Sequence, residues 1–143
     1  MNKLSIFLLL FFCTLSLSAE TPETNQYYLP DDILLFLDKH YKIYEIDKIK
    51  YDMDKKKYTV KYKCGFEVEM DSKGKWISIK RKAQPLPASV INLLPKKIIH
   101  YIANNYSNKP LIRMKQKSNC YKITLSNASE LLFDVYGDFI KED

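Results

Sequence analysis

Two stretches of the chain, residues 29–79 and 94–141, repeat the same order of hydrophobic and polar positions. Each opens with apolar residues three and four apart, which places them on one face of a helix. The first stripe is Ile33, Leu34, Leu37 and Tyr41, and the second is Ile98, Ile99, Ile102 and Tyr106. Pro30 and Pro95 precede the stripes and favour helix starts there, where a missing N–H costs nothing. A repeat with this period predicts one structural unit present twice.

Strict alternation of apolar and polar residues follows each helical stripe. The apolar positions are Tyr58, Val60, Tyr62, Phe66, Val68 and Met70 in the first half, and Tyr121, Ile123, Leu125, Leu131, Phe133 and Val135 in the second. A period of two with one apolar face is typical of an antiparallel sheet covered on one side. Residues 43–50 are expected to form a further strand, with a bulge near Asp47 where the alternation slips.

The predicted hairpin turns account for all three glycines of the chain, Gly65, Gly74 and Gly137. The segments 71–74 and 134–137 begin with Asp and end with Gly, as type I turns prefer. Residues 64–65 predict a two-residue connection in which Gly accepts a positive φ. The counterpart of that glycine is Ala128, which takes a positive φ only at a cost. We therefore expect the second turn to be longer or differently shaped.

These patterns predict an α+β protein made of two tandem units in two layers, each unit a helix plus a four-stranded antiparallel sheet. The predicted boundaries are a signal peptide at 1–19, an N-terminal tail at 20–28, a first repeat at 29–80, a linker at 81–86 and a second repeat at 87–143. Residues 86–93 are expected to add one helical turn before the second long helix. The predicted core consists of Ile33, Leu37, Val60, Val68, Met70, Ile98, Ile102, Ile123, Leu131 and Phe133.

The first nineteen residues have the three parts of a secretory signal: a short positive start, an apolar run at 4–12 and small residues at 14–19. Cleavage is expected after Ala19 or Ser18. The apolar run is too short to anchor the chain in a bilayer. Acylation at Cys13 is the alternative, and bulky Phe12 argues against it. No other run is long enough for a membrane span, so we expect a periplasmic or secreted protein.

The net charge limits the kinds of binding partner to expect, and the cysteines raise the question of a disulfide. The full chain carries a net charge of +6, and a basic excess remains after Lys3 is removed with the signal. A solvated Lys-rich surface is the simplest interpretation. An exported protein does not normally meet nucleic acid, so a basic face would sooner meet an acidic protein or an anionic envelope surface. Cys64 and Cys120 occupy different places in the two repeats, and export permits a disulfide. A bridge and two free thiols both stay open.

The order of these motifs resembles the β-lactamase-inhibitor-like, PepSY-like family of exported proteins. The matching residues are Leu29-Pro30, Tyr58, Val60, Glu67, Glu69, Asp71, Gly74, Trp76, Leu86-Pro87, Val90, Pro95, Ile98, Tyr101-Ile102, Tyr106, Gly137 and Phe139-Ile140. The chain departs from the family at 127–129, where an Asn-Gly turn is favoured, and at Ser107, where Pro is usual. The resemblance implies a fold similar to the β-lactamase inhibitory protein, which grips its enzyme with an open sheet face. It supplies no catalytic residue.

Catalytic and metal-binding motifs are missing from the sequence. There is no nucleophile elbow, no Gly-rich phosphate loop and no H-E-x-x-H. The two histidines, His40 and His100, lie on different predicted helices, and with two scattered cysteines they give no zinc-ligand spacing. His40 is interpreted as a residue that caps its helix. We expect no enzyme activity, no cofactor and no metal.

The polar face of the sheet is the predicted binding surface. Its candidate residues are Lys61, Glu67, Glu69, Trp76, Lys122, Glu130, Leu132 and Phe139. Trp76 and Phe139 occupy matching positions in the repeats, and strand parity predicts that both point outward as aromatic anchors. The alternative is that these rings form a lid over the seam between the repeats. Lys61 is expected to pair across strands with Glu67 or Glu69.

Three functions follow from these expectations. The first is a non-enzymatic binding module of the bacterial envelope that docks or inhibits an unidentified protein or peptide on its open sheet face. The second is a structural or sensory envelope protein without a tight partner. The third, a small-molecule carrier, is disfavoured because units this small leave little cavity. Exposed aromatic residues on the sheet would favour the first function, and a uniformly charged sheet the second.

Overall fold

A computed structural model describes residues 28–82 and 84–143. The predicted signal peptide, its cleavage point and most of the predicted tail lie outside these ranges. No helix within them has the length and hydrophobicity needed to cross a bilayer.

The described chain contains three helices and eight strands. In order they are α1 (Asp31–Tyr41), β1 (Ile46–Asp52), β2 (Lys57–Tyr62), β3 (Phe66–Asp71), β4 (Trp76–Arg81), α2 (Ala88–Ile91), α3 (Lys96–Asn105), β5 (Leu111–Gln116), β6 (Cys120–Leu125), β7 (Glu130–Asp134) and β8 (Phe139–Glu142). The strands form one open antiparallel sheet in chain order, which confirms the α+β class. Strand β4 pairs directly with β5, where Ile79 lies opposite Met114. The sheet is therefore continuous across the predicted linker.

Both long helices begin where the prolines predict. The carbonyl oxygen of Pro30 accepts hydrogen bonds from the N–H groups of Ile33 and Leu34, and Pro95 does the same three and four residues further on. The predicted extra turn before the second long helix is α2, which Pro87 precedes.

One hydrophobic cluster lies between the helices and one face of the sheet. Every residue predicted for the core is buried in it. Tyr41 at the end of α1 stacks on Tyr62 of β2 with ring centroids 5.2 Å apart, and Tyr101 of α3 meets Phe133 of β7 edge-on at 5.4 Å. Most residues of the helix stripes and of the inward strand positions thus form a single core, whereas Leu34 and Val135 are exposed.

The two Asp-to-Gly turns have the predicted shape. The Asp71 Oδ1 atom accepts hydrogen bonds from the N–H groups of Lys73 and Lys75 at 2.9 and 3.0 Å. The Asp134 Oδ1 atom does the same for the N–H groups two and four residues later, at 2.9 and 2.8 Å. Gly74 and Gly137 take φ values of +75° and +85°, in the left-handed region that favours glycine.

The expectation of a different turn at Ala128 is wrong. Ala128 has φ +70°, and its N–H donates to the carbonyl oxygen of Leu125 at 2.9 Å. Gly65 makes the equivalent bond to Tyr62 at 3.0 Å with φ +91°. The second turn therefore keeps the left-handed conformation without the residue that adopts it most easily.

Strand β1 begins three residues later than predicted, at Ile46. Its register with β2 shifts between Ile46 and Lys48, so the predicted irregularity at Asp47 is present.

The two cysteines of the described chain lie at opposite ends of the sheet. Cys64 follows the end of β2, whereas Cys120 begins β6, a strand that runs parallel to β2 in this order of strands. A strand of six residues spans about 20 Å, far beyond the reach of a disulfide. Both thiols are free.

Candidate functional site

The sheet face opposite the helices is built from two rows of side chains that cross the strands in register. The first row is Lys48, Lys61, Glu67, Lys80, Arg113, Thr124 and Glu130. The second row is Lys50, Thr59, Glu69, Ser78, Lys115, Lys122, Leu132 and Lys141. Because strand side chains alternate, these rows are the outward counterpart of the buried positions. We call them together the outward face.

Ion pairs hold three carboxylates of the outward face. The Glu67 carboxylate lies 3.0 Å from the ammonium groups of both Lys61 and Lys80, which confirms the predicted cross-strand pair. Partial burial raises the pKa of Glu67, but the hydrogen bonds from these two lysines outweigh burial and hold the pKa below its ordinary value. Glu69 pairs with Lys57 at 3.0 Å, and Glu130 pairs with Lys122.

Trp76 does not lie on the outward face, so its predicted orientation is wrong. Its register partner is Met70, which faces the helices, and the indole is only 8% exposed. The cause is a β-bulge: pairing passes from Glu69–Ser78 to Met70–Trp76, so Ile77 is an extra residue that reverses the parity of the strand. The indole centroid lies 6.3 Å from that of Tyr121 on β6.

Phe139 is also misplaced by the sequence prediction, for the same reason. Pairing passes from Leu132–Lys141 to Phe133–Phe139, so Ile140 is an extra residue in β8. The Phe139 ring stacks on Tyr101 of α3 with centroids 4.7 Å apart and is 38% exposed. Both rings lie on the helix side of the sheet, and neither is available as an anchor on the outward face. Trp76 lies at the seam, as the lid alternative expected, whereas Phe139 lies at the β8 edge, away from the seam.

The other six candidate residues lie on the outward face. They are Lys61, Glu67, Glu69, Lys122, Glu130 and Leu132, and all are partly exposed. No aromatic residue belongs to its two rows. The face is therefore charged, with Leu132 as the apolar candidate on it.

A hollow of about 510 Å³ lies beside the junction of β4 and β5, between residues of the outward face and the helix-side residues Tyr62 and Phe66. Its lining includes Arg81 and Arg113, which are the only two arginines among the 23 basic residues of the chain. The arginines lie on neighbouring strands: Arg113 belongs to the outward face as the register partner of Lys80, whereas Arg81, the register partner of Phe66, ends β4 on the helix side. The Nε atom of each is buried and meets no hydrogen-bond acceptor within the described residues. The Arg81 guanidinium lies 4.6 Å above the centre of the Phe66 ring.

Sequence reasoning missed both arginines. The available signal was their scarcity beside so many lysines. Their proximity depends on the direct pairing of β4 with β5, which two separate sheet units would not provide.

The described residues contain no cluster of three or more His, Cys, Asp or Glu side chains placed to hold a metal ion. His40 contacts Phe36, with ring centroids 4.8 Å apart. Burial, with a smaller effect of neighbouring Lys39, lowers the pKa of His40.

Solved structures similar to this chain include proteins from Bacteroides. A protein described as "a putative periplasmic protein of unknown function" from Bacteroides vulgatus is 29% identical, with a TM-score of 0.71, over 81% of this chain and 92% of that one. A "putative calcium-regulated periplasmic protein" from Bacteroides thetaiotaomicron is 28% identical, with a TM-score of 0.72, over 81% and 91%. Another Bacteroides vulgatus protein, described as a "putative periplasmic protein", is 27% identical, with a TM-score of 0.70, over 80% of this chain and 90% of that one.

No curated protein matches the chain. A family model does match it over residues 56–141, from the end of the β1–β2 turn into the last strand. The match spans more than half of the chain and includes most of the outward face. The chain therefore belongs to the family described as "Putative beta-lactamase-inhibitor-like, PepSY-like".

Proposed function

We propose that this protein is an exported, non-enzymatic binding module of the bacterial envelope that docks a protein or peptide on its outward face. One observation carries the proposal: all three described helices pack on one side of the sheet, and no described element covers the other side. That open side spans eight strands and borders a hollow large enough for several side chains of a partner.

The family and the solved neighbours support this assignment. The family description is "Putative beta-lactamase-inhibitor-like, PepSY-like", and two similar solved structures are described as putative periplasmic proteins. The secretory pattern at 1–19 agrees with that location. Mass measurement on a periplasmic fraction should find a chain that begins at Ala19 or Glu20. A chain that retains Met1 in the cytoplasm would contradict export.

The anchors for a partner differ from those that the sequence predicts, because Trp76 and Phe139 face the helices. Arginine is the other residue type that concentrates binding energy at interfaces. Arg113 lies near the centre of the outward face, and Leu132 adds apolar area in the neighbouring row. We propose that these two side chains, with the lysines around them, replace aromatic rings as the contact residues.

A steric block tests the use of this face. Thr124 is half-buried in the middle of the outward face, whereas Asn104 is exposed on α3. A partner captured from envelope extract by the mature chain should be lost by Thr124→Trp and retained by the matched variant Asn104→Trp. Thermal melts of both variants verify that each is folded. Retention of the partner by Thr124→Trp would exclude the outward face as the docking surface.

A structural or sensory role without a tight partner is the second candidate, and the ion pairs favour it. Glu67, Glu69 and Glu130 are each held by lysines of the same chain, so much of the face satisfies its own charge. Under this alternative, the mature chain and its Thr124→Trp variant would capture the same proteins from the envelope extract.

We also propose that the chain arose by duplication of one unit, now residues 29–80 and 87–143, joined by the linker 81–86. The supporting features are the same order of one long helix and four strands, matching Asp-to-Gly turns, and a bulge at the same place in β4 and β8.

A further inference from the structure

Arg81 and Arg113 have geometry that the lysines of the described residues do not share. They line one hollow from neighbouring strands, and the Nε atom of each is buried without an acceptor in the described chain. A buried donor that lacks an acceptor costs about 1–3 kcal/mol. Two such donors at one hollow point to an acceptor that comes from outside the chain.

The acidic side chains around the hollow do not satisfy the arginines. Glu67 is bonded to Lys61 and Lys80, and Glu130 is paired with Lys122. Neither arginine forms an ion pair within the described residues. Glu67 and Glu130 are thus bound by lysines of the same chain, and both guanidinium groups keep unused binding capacity.

A planar guanidinium matches a carboxylate, which can accept two parallel N–H bonds from it. We infer that the hollow is a carboxylate site, in which Arg81 and Arg113 bind Asp or Glu side chains on an extended segment of the partner protein. This inference rests on the docking face proposed above. The stacking of Arg81 on Phe66 holds its guanidinium plane in place, which lowers the entropy lost on binding.

The same hollow disfavours a continuous anionic surface such as a membrane. Asp47, Glu67 and Glu130 also line it, and their carboxylates would repel closely spaced negative charges. A peptide with separated acidic side chains can place each one against an arginine and keep neutral residues against these three carboxylates. The site therefore selects separated carboxylates over dense negative charge.

The experiment uses the nitrogen-15 NMR signals of the arginine side chains. Because the chain has only two arginines, the mature protein should show two Nε–H signals, which the variants Arg81→Lys and Arg113→Lys assign. The probe is the blocked peptide Gly-Gly-Glu-Gly-Glu-Gly-Gly, and its Glu→Gln analogue is the control. Both Nε–H signals should shift and saturate with the Glu peptide and remain in place with the Gln peptide.

The double variant Arg81→Lys/Arg113→Lys keeps the charge and removes the guanidinium groups. It should bind the Glu peptide roughly tenfold more weakly, by backbone amide shifts, because a lysine cannot form the two parallel bonds. Lys55→Gln/Lys73→Gln, which removes two exposed charges outside the hollow, should leave binding unchanged. The dispersion of the amide spectrum shows whether each variant is folded.

Absence of a shift with the Glu peptide, or equal affinity in the double lysine variant, would overturn the carboxylate site. Saturating shifts with phosphatidylglycerol vesicles but not with the peptide would also overturn it, in favour of a membrane surface. The proposed function fails separately: a partner that Thr124→Trp loses but the double lysine variant binds normally leaves the docking face intact and excludes only the role of the arginines.

Discussion

At the residue scale, Ala128 stands in a conformation that suits glycine. A left-handed backbone costs a residue with a Cβ about 1–2 kcal/mol. Replacing that residue with glycine removes the strain, but the greater flexibility of glycine in the unfolded state offsets part of the stabilisation. Since φ is +70° at Ala128, we predict that Ala128→Gly raises the free energy of unfolding by about 0.5–1 kcal/mol, measured by urea denaturation. Ala103→Gly in the last turn of α3 is the control and should lower stability by up to about 1 kcal/mol. A loss of stability in both variants would show that Ala128 is unstrained.

The buried hydroxyl of Tyr41 is a second local source of instability. Its side chain is 1% exposed and its hydroxyl meets no partner in the described chain. Burial, followed by the neighbouring Tyr62 and Tyr44, raises the pKa of Tyr41. Removing an unsatisfied buried hydroxyl recovers its desolvation cost, so Tyr41→Phe should raise the free energy of unfolding by about 1 kcal/mol.

The matched control for Tyr41 is Tyr106→Phe. The Tyr106 hydroxyl donates to Glu142 at 2.6 Å, and this bond raises the pKa of Tyr106 to about 12. The control should therefore lose stability, by up to about 1 kcal/mol, where Tyr41→Phe gains it. If Tyr41→Phe is the more destabilised of the two, the Tyr41 hydroxyl has a partner in solution.

At the element scale, the Gly74 turn packs against the start of α1 and the Gly137 turn against the start of α3. A Cβ at Gly74 would lie 2.9 Å from the backbone carbonyl carbon of Asp32 in α1, whereas one at Gly65 would meet nothing closer than 3.6 Å. Both glycines have positive φ, so an alanine is strained at either position by about 1–2 kcal/mol. Only Gly74→Ala must also push α1 away from the sheet.

We therefore predict that Gly74→Ala lowers the free energy of unfolding by at least about 1 kcal/mol more than Gly65→Ala does. Chemical denaturation of the two variants under identical conditions measures the difference. Equal losses would mean that α1 moves without cost and that the contact with Asp32 does not fix the helix.

The same scale explains what the sequence could predict. Alternation in the strands and the stripes of the helices identified the core correctly, because burial depends on parity and parity is visible in the sequence. One extra residue in a strand reverses the face on which the next side chains lie, so a prediction from parity is then wrong. In Trp76-Ile77 and Phe139-Ile140 both neighbours are apolar, so the pattern does not show which one is the bulge, and both aromatic rings were assigned to the wrong face. The hollow depends on contacts between distant strands, β4 and β5, and local patterns carry no information about these.

At the scale of the whole molecule, the pairing of β4 with β5 joins two halves that the repeat describes as equivalent. Ile79 and Met114 face each other across this seam and are both completely buried. The N–H of Leu86 donates to the carbonyl oxygen of Leu111 at 2.8 Å, which ties the linker to the second half. Core continuity across the seam implies that neither half can open without exposing apolar surface of the other.

Trp76 is the single tryptophan of the chain and lies at this seam, 8% exposed and 6.3 Å from Tyr121 of the second half. We predict that its fluorescence and the far-UV circular dichroism of the sheet change together in one urea transition, because a single cooperative core unfolds as a unit. Met114→Ala should lower the midpoint of both signals equally and cost about 2–5 kcal/mol, as buried methionines do. Lys115→Ala, the neighbouring outward position, is the control and should leave both midpoints nearly unchanged. If fluorescence changes at lower urea than circular dichroism, the halves separate before they unfold, and the seam is then a domain interface between two independent cores.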